Sequence, residues 1–171
     1  MKNIIIIVLI GWAFQGMSQS TGEVSKEKMK ELAFMEGQWK GGGWNINQDR
    51  TRSEFSQSED VAYELNGTVL LIKGKGVDQD GKLVHNALGV VSYNAAEGNY
   101  IMHAFLENGM RTEAQLEIIA PGKAKWWFEP GNGATIRYTF SVVDGTWTET
   151  GEYSPDKETW YPSLSFSVEK Q

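Results

Sequence analysis

The sequence contains no cysteine, only 4 prolines and only 2 histidines. The lack of cysteine excludes disulfides, a thiol nucleophile and a thiolate metal site. With so few histidines, a zinc or copper centre built from protein ligands is not expected either, so we predict no metal site. Stability must come from packing, for which 7 tryptophans, 6 tyrosines and 7 phenylalanines supply large apolar surfaces.

Positive charge is scarce as well. The chain has 16 basic and 22 acidic residues, a net charge of −6, and no run of Lys and Arg. Such a chain has no bulk attraction for nucleic acid or for anionic lipid. We therefore expect no nucleic-acid partner.

The usual catalytic signatures are missing too. The sequence has no nucleophile elbow, no HExxH motif, no phosphate-cradling loop and no dinucleotide fingerprint. Paired carboxylates for acid–base catalysis could come from four glutamates, Glu107, Glu113, Glu149 and Glu152. Nothing in their spacing brings any two of them together, so we expect them at the surface. We predict no catalytic residue, and the sequence favours a protein that is not an enzyme.

The first residues follow the order of a secretory signal peptide. Lys2 gives a positive start, an apolar run covers residues 4–14, and the small residues Gly16 and Ser18 occupy the −3 and −1 positions. We predict cleavage after Ser18 and export to the periplasm or the extracellular space. The apolar run is shorter than the roughly 20 residues that span a bilayer, so no stable membrane insertion is expected.

The predicted organisation is a signal peptide over 1–18, a flexible segment over 19–24 and one β-domain over 25–171. The stretch "SKEKMKELAFMEG" carries apolar residues at i, i+3 and i+4 spacing. It predicts one short amphipathic helix that Ser25 caps and Gly37 ends.

Turn signals then arrive at intervals near ten residues until the end of the chain. They delimit about ten segments rich in Val, Ile, Thr, Tyr, Phe and Trp, which are typical of strands. The signals are "LNGT", "DQDGK", "NAAEGN", "ENG", "APGK", "EPGNGA", "VDGT" and "SPDKE", and one further turn is expected near Asn47 to Arg52. Connections this short join antiparallel neighbours, and closing the sheet removes its exposed edges. We predict an all-β fold: an antiparallel up-and-down meander β-barrel of about ten strands with one short N-terminal helix.

Alternation along the strands suggests which side chains reach the lumen. Tyr138 shares its face with apolar residues, whereas Arg137 lies on the opposite face, as Arg111 does in its own strand. An outward position is usual for such arginines, but in a barrel with a polar lumen either would be a candidate anion clamp. Trp126 and Trp127 are adjacent and must point to opposite faces, so one of them packs inward.

The stretch "EGQWKGGGW" places a tryptophan among glycines at the start of the first strand. The predicted barrel-closing motif is Gly37, Trp39, Gly41 and Gly43. Trp39 would plug the end next to the helix, and the glycines would permit a bend or bulge. This motif resembles that of calycin-like barrels, which include lipocalins, fatty-acid-binding proteins and nitrobindins. Over most of the chain the order "GxWxGxGW", "LNGTVLLIKGKG", "VHNALGVVSYN" and "GEYSPDKETW" looks more like that of an uncharacterised bacterial family of exported barrels.

The resemblance implies a ligand in the lumen. Nitrobindins bind haem through a histidine in the last strand, but residues 159–169 of this chain contain none. Haem would therefore depend on His103, and we expect no cofactor, with haem as a secondary expectation.

Our leading hypothesis is an exported barrel that holds a small hydrophobic or amphipathic, lipid-like molecule, as a monomer or homodimer. The candidate ligand-binding residues are His103, Arg111, Trp127, Arg137 and Tyr138. One alternative is a filled structural or interaction barrel of the cell envelope without a ligand. The others are a haem-binding nitrobindin-like protein and a cavity-based hydrolase or isomerase.

Overall fold

The computed structural model describes residues 21–47 and 49–171. The predicted signal peptide and its cleavage site lie outside the described residues. Within these two ranges, no helix is both long enough and apolar enough to cross a membrane.

Ten antiparallel strands form one closed barrel, which confirms the predicted fold class. Each strand pairs with its sequence neighbour, and β1 pairs with β10 to complete the ring. The strands are β1 Gly37–Ile46, β2 Arg52–Glu64, β3 Val69–Val77, β4 Leu83–Asn94, β5 Asn99–Leu106, β6 Arg111–Ala120, β7 Lys123–Gly131, β8 Ala134–Val143, β9 Thr146–Ser154 and β10 Tyr161–Lys170. The closed ring leaves none of these strands as an open sheet edge.

The helix begins earlier than the sequence predicted. Residues 21–29 are α-helical and a 3-10 helix continues over Lys30–Met35, so the helix includes residues 21–24. Ser25 does not start the helix as a cap. Its hydroxyl instead donates a hydrogen bond to the carbonyl of Tyr93 on β4, at 3.0 Å, and so ties the helix to the barrel.

This helical segment covers one end of the barrel. Met29, Leu32 and Met35 are fully buried against the strands. Two tyrosine hydroxyls donate to helix carbonyls, Tyr63 to Met29 at 2.5 Å and Tyr100 to Lys28 at 2.7 Å. The helix therefore forms a fixed cover, and we call this end the closed end.

Trp39 lies directly beneath the cover. Its side chain is 1% exposed, and its indole Nε1 donates to the carbonyl of Met35 at 2.9 Å. Its ring meets Trp147 edge-on, with 5.7 Å between centroids. The tryptophan thus joins the cover, β1 and β9 at the base of the lumen.

The glycines of β1 allow it to approach β10 closely. A Cβ on Gly41 would lie 2.8 Å from Cα of Val168 and would collide with the carbonyl oxygen of Ser167. A Cβ on Gly43 would lie 2.5 Å from Cβ of Phe166. Because these obstacles are fixed by the backbone of β10, no rotamer change relieves them. Glycine at these two positions is a requirement of barrel closure.

Candidate functional site

The lumen of the barrel contains a cavity of about 430 Å³. Its exposed apolar lining residues lie at or beside strand ends remote from the helix and mark a mouth there: Ile46, Val84, Leu106 and Met110. Met35 and Trp147 line the opposite, closed end. The cavity is therefore a pocket with one apolar rim and a covered base.

Aromatic rings form one wall of this pocket. Trp126 stacks on Tyr138 with 4.1 Å between ring centroids and 11° between planes, and it also stacks on Phe128 at 6.1 Å. Gly151 makes room for this arrangement, because a Cβ there would lie 2.6 Å from Cε1 of Tyr138. The wall is a flat surface suited to a planar apolar group.

Two carboxyl groups lie in this mostly apolar lumen. Glu59 on β2 is 7% exposed, and Glu149 on β9 is 8% exposed. Both line the cavity. Glu59 lies opposite Trp39 in the β1–β2 register, and Glu149 is two residues from Trp147 on the same face of β9. The pair therefore lies deep in the pocket, near its closed end.

Burial changes the acidity of both groups. It raises the pKa of Glu149 to about 8, with a smaller contribution from the negative charge of Glu59, while the indole N–H groups of Trp126 and Trp147 oppose the rise. Burial also raises the pKa of Glu59 to about 7, against the hydrogen bond from Gln57. Both carboxyls thus exchange protons near neutral pH.

The immediate partners of the pair leave hydrogen-bonding capacity unused. Nε2 of Gln57 donates to Oε1 of Glu59 at 2.6 Å, and Nε1 of Trp126 donates to Oε1 of Glu149 at 3.4 Å. Gln57 is 4% exposed, yet its Oε1 has no hydrogen-bond partner among the described residues. Nε1 of Trp147 acts on the pKa of Glu149 from nearby, but no hydrogen bond of ordinary geometry joins it to any described residue.

Glycines on β3 create the space for the carboxyl of Glu59. A Cβ on Gly74 would lie 3.0 Å from each of its carboxyl oxygens and 3.4 Å from Nε2 of Gln57. Two residues further toward the mouth, a Cβ on Gly76 would lie 3.0 Å from Oε1 of Gln57. The inward side of β3 thus provides room for polar groups rather than apolar packing.

His85 is the histidine that reaches the cavity. It lies at the mouth on β4, where its side chain keeps contact with solvent and partial burial lowers its pKa. His103 lies instead on the outer face of β5, because its neighbours Met102 and Ala104 both line the lumen. A haem held in the lumen by His103 therefore does not fit this barrel.

The five predicted ligand-binding residues lie on both faces of the barrel sheet. Tyr138 lines the cavity, whereas His103, Arg111, Trp127 and Arg137 do not. Arg137 pairs with Glu152 at 2.8 Å and its guanidinium lies 3.6 Å from the ring centroid of Trp160. Trp127 likewise faces outward, with Nζ of Lys125 at 5.2 Å from its ring centroid. Ligand-binding roles for these residues stay predictions.

The sequence analysis missed the carboxyl pair. Glu149 was expected at the surface, and Glu59 was not considered. Alternation along the strands was the available signal. Glu59 lies on the same face of β2 as Phe55 and Val61, and Glu149 lies on the same face of β9 as Trp147, and these three apolar residues are buried. A glutamate in step with buried apolar residues is a candidate lumen group.

Comparison with known proteins gives a fold relationship. No protein-family model matches the chain, and no curated protein matches it. Among solved structures, the crystal structure of Rv2717c from M. tuberculosis is similar, with a TM-score of 0.63 and 10% sequence identity over 84% of this chain and 96% of that one. At this identity the likeness shows the fold alone. The class that the structure defines is therefore a closed ten-stranded antiparallel β-barrel with a lumen pocket.

Proposed function

We propose that the protein binds a small, mostly apolar molecule in the lumen of its barrel. The observation that carries this proposal is the cavity of about 430 Å³, lined by apolar and aromatic side chains together with a few polar groups. Ligand sites are typically concave pockets of about 300–1,000 Å³ with this kind of lining. The resemblance of the Gly-Trp motif to calycin-like binding barrels supports the same proposal.

The polar groups of the pocket refine the expected ligand. Among the cavity-lining residues described, none is lysine or arginine, and Arg111 and Arg137 are not among them. A fatty-acid carboxylate would meet Glu59 and Glu149 without a basic partner. A lipid-like ligand is therefore proposed only in a form without a free carboxylate. The cavity lining comes from one chain, so either a monomer or a homodimer is compatible with this site.

The neutral fluorescent probe N-phenyl-1-naphthylamine tests the proposal. We expect saturable uptake at one probe per chain, because the probe is smaller than the cavity and apolar enough to leave water. Ala104→Phe fills the lumen from β5 and should weaken uptake by at least about tenfold. The matched control is Ile101→Phe, which places a similar ring on the outer face of the same strand, away from the cavity lining, and should leave uptake unchanged.

The alternative of a filled structural barrel predicts a different result. In that case the probe would not bind the unmodified protein, and Ala104→Phe would make no difference. Circular dichroism and urea unfolding of both variants distinguish lost binding from lost folding. If Ala104→Phe does not fold, the smaller change Ala104→Leu replaces it.

Export is the second part of the proposed function. The motivating observation is the sequence order of Lys2, the apolar run over 4–14, and the small residues Gly16 and Ser18. Residues 1–22 are expected to export a reporter enzyme that is active only after disulfide formation outside the cytoplasm of a bacterial host. Val8→Arg, which interrupts the apolar run, should abolish reporter activity. Equal reporter activity with and without that change would contradict export by this segment.

A further inference from the structure

We propose that the lumen selects an organic cation: a ring-sized apolar body bearing a protonated amine, whose N–H groups bind the carboxyls of Glu59 and Glu149 and the free Oε1 of Gln57. This inference rests on the proposed binding function and names its ligand class. It follows from the charge, the hydrogen-bonding inventory and the shape of the pocket.

The described lining of the pocket contains acidic side chains but no lysine or arginine. Glu59 and Glu149 face the cavity from β2 and β9, and the other titratable groups that line it are Tyr138 in the aromatic wall and His85 at the mouth. Within residues 21–47 and 49–171 neither carboxyl therefore has a cationic partner in the cavity lining, and a bound ammonium would supply one for both.

The hydrogen-bonding inventory points in the same direction. Oε1 of Gln57 is an acceptor on a side chain that is 4% exposed, and it has no donor among the described residues. It belongs to the same amide that donates to Glu59. An ammonium group has three donors and no acceptor. The pocket offers at least three acceptors from three side chains, as many as the donors of one ammonium group.

The raised pKa values of Glu59 and Glu149 are consistent with a missing counter-charge. Burial, and for Glu149 also the charge of Glu59, hold both pKa values well above the ordinary carboxyl value. A cation between the two groups would offset both effects and favour their ionised forms. The carboxyls thus stabilise a bound ammonium more when the ligand excludes water from the base of the pocket.

The remaining surfaces suit the body of such a ligand. The stacked rings of Trp126, Tyr138 and Phe128 form a flat wall above the acidic base. Aromatic rings also attract cations that approach their faces. Outside the pocket, the net charge of −6 attracts cations toward the protein and repels anions.

Calorimetric titration with three naphthyl compounds tests the inference. The compounds are 2-(1-naphthyl)ethylamine, 2-(1-naphthyl)ethanol and 1-naphthylacetate, which share an apolar body and differ in the polar group. At pH 8 we expect the amine to bind at least about tenfold more tightly than the alcohol, the factor that one charge-assisted hydrogen bond contributes. The carboxylate should bind most weakly.

The variants assign the preference to the carboxyl pair. In Glu59→Gln/Glu149→Gln the amine should lose its advantage over the alcohol, while the alcohol keeps its affinity. Glu113→Gln, a change at an exposed glutamate on β6, is the matched control and should preserve the preference. The single variants Glu59→Gln and Glu149→Gln replace the double variant if it does not fold.

The possible failures are distinguishable. If the alcohol and the fluorescent probe bind but the amine shows no advantage, the cation inference is overturned and the proposed binding function stands. If the amine retains its advantage in each carboxyl variant, the assignment to Glu59 and Glu149 is overturned. If none of the compounds binds, both proposals fail.

Discussion

Raising the pH from 5 to 8 is expected to lower the free energy of unfolding of the protein without ligand by several kcal/mol. The reason is that burial raises the pKa of Glu59 to about 7 and that of Glu149 to about 8 in the folded state, whereas a glutamate in the unfolded chain ionises near its ordinary pKa of 4.5. Between pH 4.5 and about 8 the folded state therefore binds more protons than the unfolded state. Stability is therefore fully present below pH 4.5 and is lost as the pH rises through the folded-state values.

The size of the effect follows from the same values. Moving a carboxyl pKa from 4.5 to about 7 corresponds to about 3 kcal/mol of preference for the neutral form. His85 acts in the opposite direction below about pH 6.5, because its lowered pKa makes the unfolded state bind more protons. The carboxyl contribution should exceed this opposing one between pH 6.5 and 8.

Urea unfolding at several pH values, on the wild type and on Glu59→Gln/Glu149→Gln, provides the measurement. Subtracting the two curves cancels His85 and the surface groups, since both proteins share them. We expect the variant to gain stability relative to the wild type as the pH rises. A difference that stays constant from pH 5 to 8 would show that the two carboxyls do not titrate in this range.

Gly43→Ala is expected to lower the free energy of unfolding by about 3 kcal/mol or more. Gly42→Ala should change that free energy by less than about 1 kcal/mol. The added methyl group at position 43 would lie 2.5 Å from Cβ and 2.8 Å from Cα of Phe166, so β1 and β10 must separate. At position 42 the nearest atom is the carbonyl oxygen of Phe55, at 3.2 Å. The two variants add the same atom to adjacent residues of one strand.

Urea unfolding midpoints of the two variants, measured at one pH, check this prediction. Far-UV circular dichroism shows whether Gly43→Ala still forms the sheet. If both variants unfold at the wild-type midpoint, the close approach of β1 to β10 is not a feature of the folded protein. Gly41→Ala, which faces Val168 in the same way, should behave like Gly43→Ala.

The barrel could be predicted because its signals are local. Turns such as "LNGT" and "VDGT" mark hairpins within a few residues, and short hairpins enforce antiparallel neighbours. The stretch "EGQWKGGGW" combines tryptophan, which favours burial, with glycines, which weaken a strand. This combination likewise indicated the place where the barrel closes. The start of the helix was less predictable, because Ser25 bonds to Tyr93, a strand residue far away in sequence.

The carboxyl pair could not be predicted from spacing because it depends on closure. Glu59 and Glu149 are 90 positions apart, and β2 and β9 become near neighbours only when β1 and β10 join between them. Alternation within each strand shows which face a glutamate occupies, but not which other strand faces it across the lumen. The outward position of Arg137 was, by contrast, readable from alternation alone, since Tyr138 and Phe140 take the opposite face.

A crystal structure of the protein grown with 2-(1-naphthyl)ethylamine tests the central claim most directly. We predict the naphthyl rings in the lumen beside Trp126 and Tyr138, with the amine nitrogen within hydrogen-bond distance of Glu59 or Glu149. A lumen filled by the protein's own side chains, or a compound found only on the outer surface, would contradict the account of this barrel as a binding protein.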